Sequence, residues 1–249
     1  MDLGLEGKVA IVTGASRGLG RAAATALVAE GMRVLAVARN ESSLLELARE
    51  HRGRVEVAAC DVRDREAVHA LADRAVRTFG RLDVVVNNAG IAPAGAFIDQ
   101  DWDRWQEVLA VNVTAPAALA QAAGRVFVEQ GSGKVINVAS TSGVRGKPIL
   151  AAYSASKAAL IRFTEALASE WAPHGVQVNA IAPGAFTTDA QEAVTSDPEL
   201  LARRVRKIPA RRMADPAEFG PLVAFLASPA SDFVTGATFV IDGGEVSKL

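Results

Sequence analysis

Short apolar runs alternate with longer amphipathic segments along nearly the whole chain, and this alternation restricts the fold more than any other feature. A strand that is followed by a helix and then by another strand pairs in parallel through a crossover. The sequence therefore predicts one α/β domain over residues 1–249, a doubly wound parallel sheet of six or seven strands with helices on both faces. The expected strands are 9–12, 33–37, 55–59, 84–86, 135–138, 176–180 and 238–241, and the expected helices are 18–30, 41–50, 65–79, 101–130 and 152–172.

Residues 184–212 interrupt this pattern with a charged, irregular segment that contains Pro198 and Pro209. The segment is too long for an ordinary connection between two elements of a compact domain. We expect it to form a flap over a substrate site, and a solvated excursion on the surface is the alternative.

Composition and charge exclude several classes of function. The formal net charge is −1, so nothing points to nucleic acid or an anionic membrane as a partner. No run approaches the roughly 18 apolar residues of a membrane span, and the first residues lack a signal-peptide pattern. Cys60 is the single cysteine, and His51, His69 and His174 lie far apart in sequence, so we expect no disulfide and no bound metal. These features predict a cytoplasmic protein.

A glycine-rich turn follows the first expected strand and opens the first expected helix. Glycine permits a positive φ and a close approach of the backbone, and a helix N-terminus offers unpaired N–H groups to a phosphate. The G-x-x-x-G-x-G spacing after the first strand therefore predicts a dinucleotide site, although ordinary turns use the same residues. The expected contacts are Gly14, Ser16, Arg17, Gly18, Leu19 and Gly20.

The end of the second expected strand bears on the choice of cofactor. An acid at this place would bind the ribose hydroxyls of NAD(H), but the chain has Ala38 followed by Arg39. A guanidinium suits a 2′-phosphate, so we expect NADP(H), with NAD(H) as the less favoured cofactor. A solvated arginine at a strand end is the alternative.

Tyr153 and Lys157 are four residues apart at the start of an expected helix, so they share one face of it. A free phenol has a pKa of about 10, and a nearby ammonium lowers that pKa toward a range useful for acid/base catalysis. Ser140 follows the fifth expected strand, at the edge where open α/β sheets bind their ligands. These residues predict a site that holds a carbonyl at Ser140 and transfers a proton through Tyr153, although a tyrosine and a lysine four apart also occur on ordinary helix surfaces.

Taken together, these motifs resemble those of the classical short-chain dehydrogenase/reductase family. The resemblance extends in order along the chain and implies a Rossmann-like fold, a nicotinamide cofactor and the catalytic residues Asn112, Ser140, Tyr153 and Lys157. The matching segments are TGASRGLG at 13–20, Asp61-Val62, Asn87-Asn88-Ala89-Gly90, Asn112, Ser140, YSASK at 153–157, Pro183-Gly184, Thr188 and Asp242-Gly243-Gly244.

The resemblance also implies a role for each matching position. Asn112 would bend its long helix and free a carbonyl that holds a proton-relaying water. Lys157, with Tyr153 beside it, would contact the nicotinamide ribose, while Phe186 and Thr188 would close over the carboxamide. The other cofactor contacts would be Asp61 and Val62 beside adenine, Asn88, Ala89 and Gly90 beside a ribose, and Pro183 and Gly184. Helix capping and bracing of strands are the structural alternatives for the polar residues.

The reaction that the resemblance implies is the interconversion of a ketone and a secondary alcohol, and the C-terminal part resembles 3-oxoacyl-carrier-protein reductases. Two positions that are basic in those enzymes and dock the acidic carrier protein hold Gly131 and His174, which puts carrier-protein delivery in doubt. The alternatives are a polyol, sugar or hydroxysteroid dehydrogenase that uses NAD(H), a longer epimerase or dehydratase relative, and an inactive cofactor-binding sensor. The resemblance also implies a homotetramer, and we expect a small-molecule substrate with no nucleic-acid or membrane partner.

Overall fold

The computed structural model describes residues 2–247. Seven strands form one sheet: β1 Val9–Thr13, β2 Arg33–Ala38, β3 Val55–Ala59, β4 Val84–Asn87, β5 Gly133–Val138, β6 Val176–Pro183 and β7 Thr238–Ile241. Their order is β3-β2-β1-β4-β5-β6-β7, and every neighbouring pair is parallel. The prediction of a doubly wound parallel sheet is confirmed, with the direction of winding reversing between β1 and β4.

Helices cover both faces of this sheet. They are α1 Gly18–Ala29, α2 Glu41–Glu50, α3 Arg65–Phe79, α4 Trp102–Leu109, α5 Ala115–Gln130, α6 Thr141–Val144, α7 Ala151–Trp171, α8 Glu192–Thr195, α9 Pro198–Arg206 and α10 Gly220–Ala227. Buried side chains of α1, α2 and α10 form one core with the sheet, and those of α3, α5 and α7 form another. Because both faces are covered, β1, β4 and β5 are buried along their whole length. None of the helices within residues 2–247 is long and apolar enough to cross a membrane.

The single helix expected over 101–130 is divided in two. Between α4 and α5, Ala110–Thr114 forms one turn of π-helix, in which the N–H of Ala115 donates to the carbonyl oxygen of Ala110. Such an insertion adds one residue to a helical turn and is frequent at functional sites. Asn112 is the middle residue of this turn, so the helix is interrupted at the residue where the family resemblance placed a bend.

The sequence pattern gave no indication of α10. Its residues are almost all apolar, so they lack the amphipathic period that reveals a helix lying at a surface. A helix that is apolar all round is a buried one, and Gly220 permits a close approach to its neighbour. A Cβ atom at Gly220 would lie 2.5 Å from the Cβ atom of Ala26 in α1.

Residues 184–212, expected to be irregular, contain regular elements. A 3-10 turn at Asp189–Gln191 is followed by α8 and α9. A small apolar cluster of Ala185, Ile208 and Met213 closes the segment at its base, and side chains of α9 pack against it. The segment therefore contains two short helices and is joined to the rest of the domain through this cluster, while its role as a flap over a substrate site stays a prediction.

Candidate active site

A cleft of about 800 Å³ lies along the carboxyl edge of the sheet. Ligands of open α/β sheets bind at this edge, beside the point where the strand order reverses. Most residues that the sequence motifs nominated line this one cleft. They are Gly14, Ser16, Arg17, Gly18, Leu19, Arg39, Asp61, Val62, Asn88, Ala89, Gly90, Ser140, Tyr153, Lys157, Pro183, Gly184 and Thr188.

The glycine turn has the geometry that a pyrophosphate requires. Gly14 and Gly18 have φ values of +67° and +54°, a conformation that side chains other than glycine rarely adopt. The N-cap residue of α1, Arg17, makes no side-chain cap, and the first turn of α1 contains no acidic residue. The N-terminal N–H groups and the positive end of the helix dipole are thus available to an anion. The turn fits the diphosphate of a dinucleotide.

Gly20 has a packing role and does not line the cleft. A Cβ atom at this position would collide with the carbonyl oxygen of Gly14 and with the side-chain amide of Asn88. Glycine here allows the first turn of α1 to lie directly against the glycine turn. The sequence prediction placed Gly20 among the cofactor contacts, and the structure places it immediately behind them.

The loop after β4 is fastened to the glycine turn by hydrogen bonds. Asn88 Nδ2 donates to the carbonyl oxygen of Thr13 at 2.9 Å. Thr13 Oγ1 accepts the main-chain N–H groups of Asn88 at 3.0 Å and Ala89 at 3.1 Å. Asn88 is therefore both a brace between strands and a lining residue, which joins the two roles that the sequence left as alternatives.

At the far end of the cleft from Tyr153, an arginine that the motifs did not nominate lies between two acids. Arg63 Nη2 is 2.6 Å from Asp61 Oδ2, and Arg63 Nη1 is 3.1 Å from Glu107 Oε1. The hydrogen bond from Arg63 holds the pKa of Asp61 below its ordinary value. Arg39 has no ion pair among residues 2–247, and it adds to the positive potential at Asp61. Ala38, which the sequence placed at the end of the second strand, lines the cleft as well, and the lining residues that sequence reasoning missed include Asn40, Ser43, Cys60 and Ile91.

Three side chains converge at the opposite end of the cleft. Ser140 caps α6 by accepting the N–H of Ser142 at 3.0 Å, and its hydroxyl also forms a hydrogen bond with Tyr153. Tyr153 lies in the first turn of α7. Lys157 lies one turn further on, with its Nζ atom 5.8 Å from the centre of the Tyr153 ring. Nζ donates to the carbonyl oxygen of Val138 at 2.7 Å. The predicted Ser140, Tyr153 and Lys157 cluster is thus brought together.

The protonation of this cluster differs from the sequence-based expectation. Burial raises the pKa of Tyr153 above its ordinary value of 10, and the hydrogen bond with Ser140 lowers it only in part. Burial also lowers the pKa of Lys157 to about 8. The expected lowering of the Tyr153 pKa by Lys157 is absent, because the ammonium is directed to the Val138 carbonyl and not to the phenol oxygen. The phenol of Tyr153 is therefore neutral near pH 7.

Asn112 lies behind the cleft and connects the loop after β4 with α7. Its side chain is fully buried and exchanges two hydrogen bonds of 2.9 Å with the main chain of Ile91. Its Nδ2 also donates to Ser156 Oγ at 3.0 Å, and that hydroxyl donates to the carbonyl oxygen of Tyr153 at 2.7 Å. These bonds tie the π-helical turn to the first turn of α7.

Phe186 does not take the place that the family resemblance implied. Its side chain is 3% exposed and packs edge-to-face on Phe219, with the ring centres 6.1 Å apart. An apolar ring on the inner side of the chain gains more from burial in the core than from lying over a polar cleft. Thr188, two residues later, does line the cleft, opposite Gly18.

No group of three or more His, Cys, Asp or Glu side chains within residues 2–247 could hold a metal ion.

The comparison with known families follows the same span of chain as these motifs. The family model described as enoyl-(acyl carrier protein) reductase matches residues 14–245, from the glycine turn to beyond β7. The chain belongs to the short-chain dehydrogenase/reductase family. As a member of that family, it is an NAD(P)-dependent oxidoreductase that acts on a small molecule.

Members of the short-chain dehydrogenase/reductase family with different substrates are similar to this chain. It is 38% identical to 2-dehydro-3-deoxy-D-gluconate 5-dehydrogenase of Escherichia coli (strain K12), over 98% of this chain and 97% of that one. It is 36% identical to the 3-oxoacyl-[acyl-carrier-protein] reductase FabG of Vibrio cholerae, over 97% and 98%. Both matches cover nearly the whole of the two chains compared.

Solved structures of the family agree with the fold. A gluconate 5-dehydrogenase from Burkholderia cenocepacia, in complex with NADP and tartrate, has a TM-score of 0.93 at 34% identity, over 98% of this chain and 97% of that one. An NAD⁺-bound xylitol dehydrogenase has a TM-score of 0.91 at 34% identity, over 96% and 99%. Both nicotinamide cofactors therefore occur among similar structures.

Proposed function

We propose that this chain interconverts a ketone and a secondary alcohol, with NADP(H) as its preferred cofactor and Tyr153 as the group that exchanges the proton. The observation that carries the proposal is the convergence of Tyr153, Ser140 and Lys157 at one end of a cleft whose other parts fit a dinucleotide. An inactive cofactor-binding protein would have no need for this convergence.

The roles of the catalytic side chains follow from their contacts. When bound, the nicotinamide supplies or accepts the hydride. Ser140, already within hydrogen-bonding reach of Tyr153, would hold the substrate oxygen beside the phenol. Tyr153, neutral because burial raises its pKa, would donate its proton to that oxygen during reduction. Lys157 would hold a ribose hydroxyl and supply positive charge while the phenolate exists.

The charges at the adenine end support NADP(H). Asp61 would repel a 2′-phosphate, but its charge is offset by Arg63. Arg39 and Arg17 line the same cleft, and neither forms an ion pair within the described part of the chain. Ala38 removes the carboxylate that would bind ribose hydroxyls. Two guanidinium groups that form no ion pair within residues 2–247 are suited to bind a phosphate.

The ends of α5 and α7 support a free substrate over one carried by a protein. Gly131 and His174, the positions that are basic in carrier-protein reductases, follow the C-terminal ends of these helices. Tyr153 lies at the other end of α7, and a helix of 21 residues spans about 30 Å. Within one subunit, these positions are therefore remote from the cleft.

A polyol or a sugar acid is the substrate class that we favour second to a simple ketone. Relatives named for such substrates are among the similar proteins.

Exposed apolar surface supports the proposal of a homotetramer. Phe97, Ile98 and Trp102 are 55%, 92% and 65% exposed at the start of α4. Ala151, Ala155 and other small residues form an exposed face of α7. Contiguous apolar surface of this kind marks a contact between proteins more often than it marks solvent-facing structure. Two such faces on one chain fit an assembly with more than one interface.

Steady-state kinetics test the proposed function. NADPH and NADH are each combined with a simple aliphatic ketone, a 3-oxoacyl thioester and a keto sugar acid, and NADP⁺ and NAD⁺ with a polyol. We expect turnover with at least one substrate and a larger kcat/KM with the phosphorylated cofactor. Tight NADPH binding without turnover in any combination would instead support the cofactor-binding sensor.

A further inference from the structure

A row of hydrogen-bonded polar side chains crosses the core beside the active site. Asn87 Nδ2 on β4 donates to Asn137 Oδ1 on β5 at 2.9 Å, where the two residues are paired across the sheet. Asn137 Nδ2 donates to Thr164 Oγ1 on α7 at 2.9 Å, and that hydroxyl donates to the carbonyl oxygen of Leu160 at 2.8 Å. All three side chains are at most 2% exposed, and none has a role in the chemistry described above.

Stability alone does not explain polar groups at these places. Val135, the nearest residue of β5 on the same face of the sheet as Asn137, is apolar and 1% exposed. Replacing both partners of a buried hydrogen bond by apolar groups of the same shape is nearly neutral for stability. A complete polar network is instead directional, and it restricts how the elements that it joins can be placed.

The elements joined here are those that carry the reaction. Thr164 lies seven residues, two helical turns, after Lys157, so both project from the same face of α7 toward β5. Lys157 reaches the carbonyl of Val138, the residue that follows Asn137. Asn137 and Val138, two consecutive residues of β5, thus bind α7 at Thr164 and at Lys157, two turns apart along the helix. Ser140 lies just beyond the end of the same strand.

The other buried side chains of α7 are of two kinds. Ala152, Ser156 and Ala168 are small and interlock little with a neighbour, whereas Leu160 and Ile161 are larger, and Ile161 forms an apolar cluster with Ala139 and Ala180. Apolar contacts of either kind are non-directional. A hydrogen bond, in contrast, is lost when its atoms move apart by less than 1 Å. The bonds from Asn137 to Thr164 and from Lys157 to Val138 are therefore the contacts most sensitive to sliding of α7, and the first of them involves no catalytic side chain.

We propose that Asn137 and Thr164 are positioning residues for the reaction: their hydrogen bond fixes α7 along β5 and so holds Tyr153 and Lys157 in place relative to Ser140. The proposal rests on the proposed function for its kinetic consequence. Its structural consequence, the placement of the Tyr153 phenol beside Ser140, is independent of turnover.

Four variants separate positioning from stability: Thr164→Val, Asn137→Leu, the double change, and Thr164→Ser as the conservative control. Urea unfolding, the Kd of NADPH, kcat and KM are measured for each. We expect each single apolar change to lower stability and to lower kcat by about 10- to 100-fold, since small displacements of catalytic groups have effects of this size. The double variant should be about as stable as Asn137→Leu, because the Asn137 amide that Thr164→Val leaves unpaired is gone while Asn87 still lacks its acceptor, and its kcat should stay low. Thr164→Ser should keep both kcat and the Kd of NADPH within about 3-fold of wild type.

A spectroscopic reading tests the placement without turnover. Tyr153 is the only tyrosine in the chain, so the ultraviolet absorbance of tyrosinate after a rapid pH jump reports its ionisation alone. In Thr164→Val and in the double variant, we expect the ionisation midpoint to move away from the wild-type value, because displacement of α7 changes the burial of the phenol and its hydrogen bond with Ser140, which together set that midpoint. Thr164→Ser should keep the wild-type midpoint.

The outcomes are distinct. A double variant with wild-type kcat, or a tyrosinate midpoint that stays at the wild-type value in Thr164→Val, would overturn the positioning proposal. A wild type that binds NADPH but turns over no substrate would overturn the proposed function instead, while the tyrosinate titration would still decide whether Asn137 and Thr164 position Tyr153.

Discussion

Lys157 Nζ donates a hydrogen bond of 2.7 Å to the main-chain carbonyl oxygen of Val138, the last residue of β5 and the second before Ser140. The bond directs a fully buried ammonium to the strand and away from the Tyr153 phenol. Desolvation of that ammonium lowers its pKa from 10.5 to about 8. The ammonium of Lys157 therefore loses its proton at a lower pH in the folded protein than in the unfolded chain.

The first prediction follows from the sign of this shift. Between pH about 8 and 10.5, the unfolded chain binds a proton at Lys157 that the folded chain does not, so this residue makes the free energy of unfolding rise with pH. Below that window the folded state bears the full desolvation penalty, and above it the penalty has gone. The change across the window is at most about 3 kcal/mol.

Urea unfolding of wild type and Lys157→Met across this window measures the effect at a fixed protein concentration. The stability advantage of Lys157→Met should be largest near pH 8 and should shrink as the pH rises toward 10.5. A constant difference between the two proteins across the window would show that the pKa of Lys157 is not lowered.

The second prediction concerns Ser140. Its hydrogen bond lowers the pKa of Tyr153, which burial raises, so Ser140→Ala should raise the tyrosinate midpoint further. Loss of the group that would hold the substrate oxygen should also lower kcat/KM, on the order of 10²-fold. Ser142→Ala is the control, because Ser142 uses its main-chain N–H to reach Ser140 Oγ. A midpoint that falls in Ser140→Ala would contradict the arrangement.

The third prediction concerns the cofactor. A single charge-assisted hydrogen bond to phosphate contributes about 1.5–3 kcal/mol, and solvent exposure reduces it. We expect wild type to prefer NADPH over NADH by about 10-fold or more in kcat/KM. Ala38→Asp combined with Arg39→Leu should abolish or reverse this preference, because the new carboxylate binds ribose hydroxyls and repels the phosphate.

Arg49→Leu provides the matched control for that experiment. Arg49 lies in the last turn of α2, does not line the cleft, and carries the same charge as Arg39. Its removal should leave the cofactor preference unchanged. A wild type that prefers NADH would show that Arg39 does not meet a phosphate, whatever the role of Tyr153.

The fourth prediction concerns assembly. Light scattering at micromolar concentration should give a mass four times that of the 26.0 kDa chain. Trp102→Asp, which puts a charge on the exposed apolar surface of α4, should reduce the mass, whereas Leu45→Asp on the exposed side of α2 should not. A monomeric wild type would reject the tetramer and leave both surfaces without a partner.

The sequence predicted the sheet and the position of most site residues, because apolar strands and glycine turns carry local signals. The π-helical turn at Ala110–Thr114 has no such signal, since it depends on Asn112 reaching Ile91 on another segment. Phe186 was misplaced because a motif gives the course of the main chain but not which way a ring turns. Arg63 was missed because its importance comes from two acids, of which Glu107 is distant in sequence.

The pKa of Tyr153 shows a second kind of limit. The four-residue spacing of Tyr153 and Lys157 predicted that both side chains lie at one end of the cleft, as they do. It gave no indication of which atom the Lys157 ammonium contacts. Because Lys157 Nζ is hydrogen-bonded to the carbonyl oxygen of Val138, the largest effect on the pKa of Tyr153 is the desolvation of its phenol, which raises that pKa. Local patterns therefore identified the chemical groups, whereas burial and distant partners set their protonation.

The measurement that tests the account most directly is the kinetics and cofactor binding of Tyr153→Phe. The change removes one oxygen atom, and with it the only tyrosinate signal of the chain, which verifies the variant. We expect the Kd of NADPH and the stability to stay near their wild-type values, while kcat falls on the order of 10²–10⁴-fold, because no other group can donate the proton. A Tyr153→Phe variant that binds NADPH and retains a tenth or more of the wild-type kcat would contradict the assignment of Tyr153 as the proton donor.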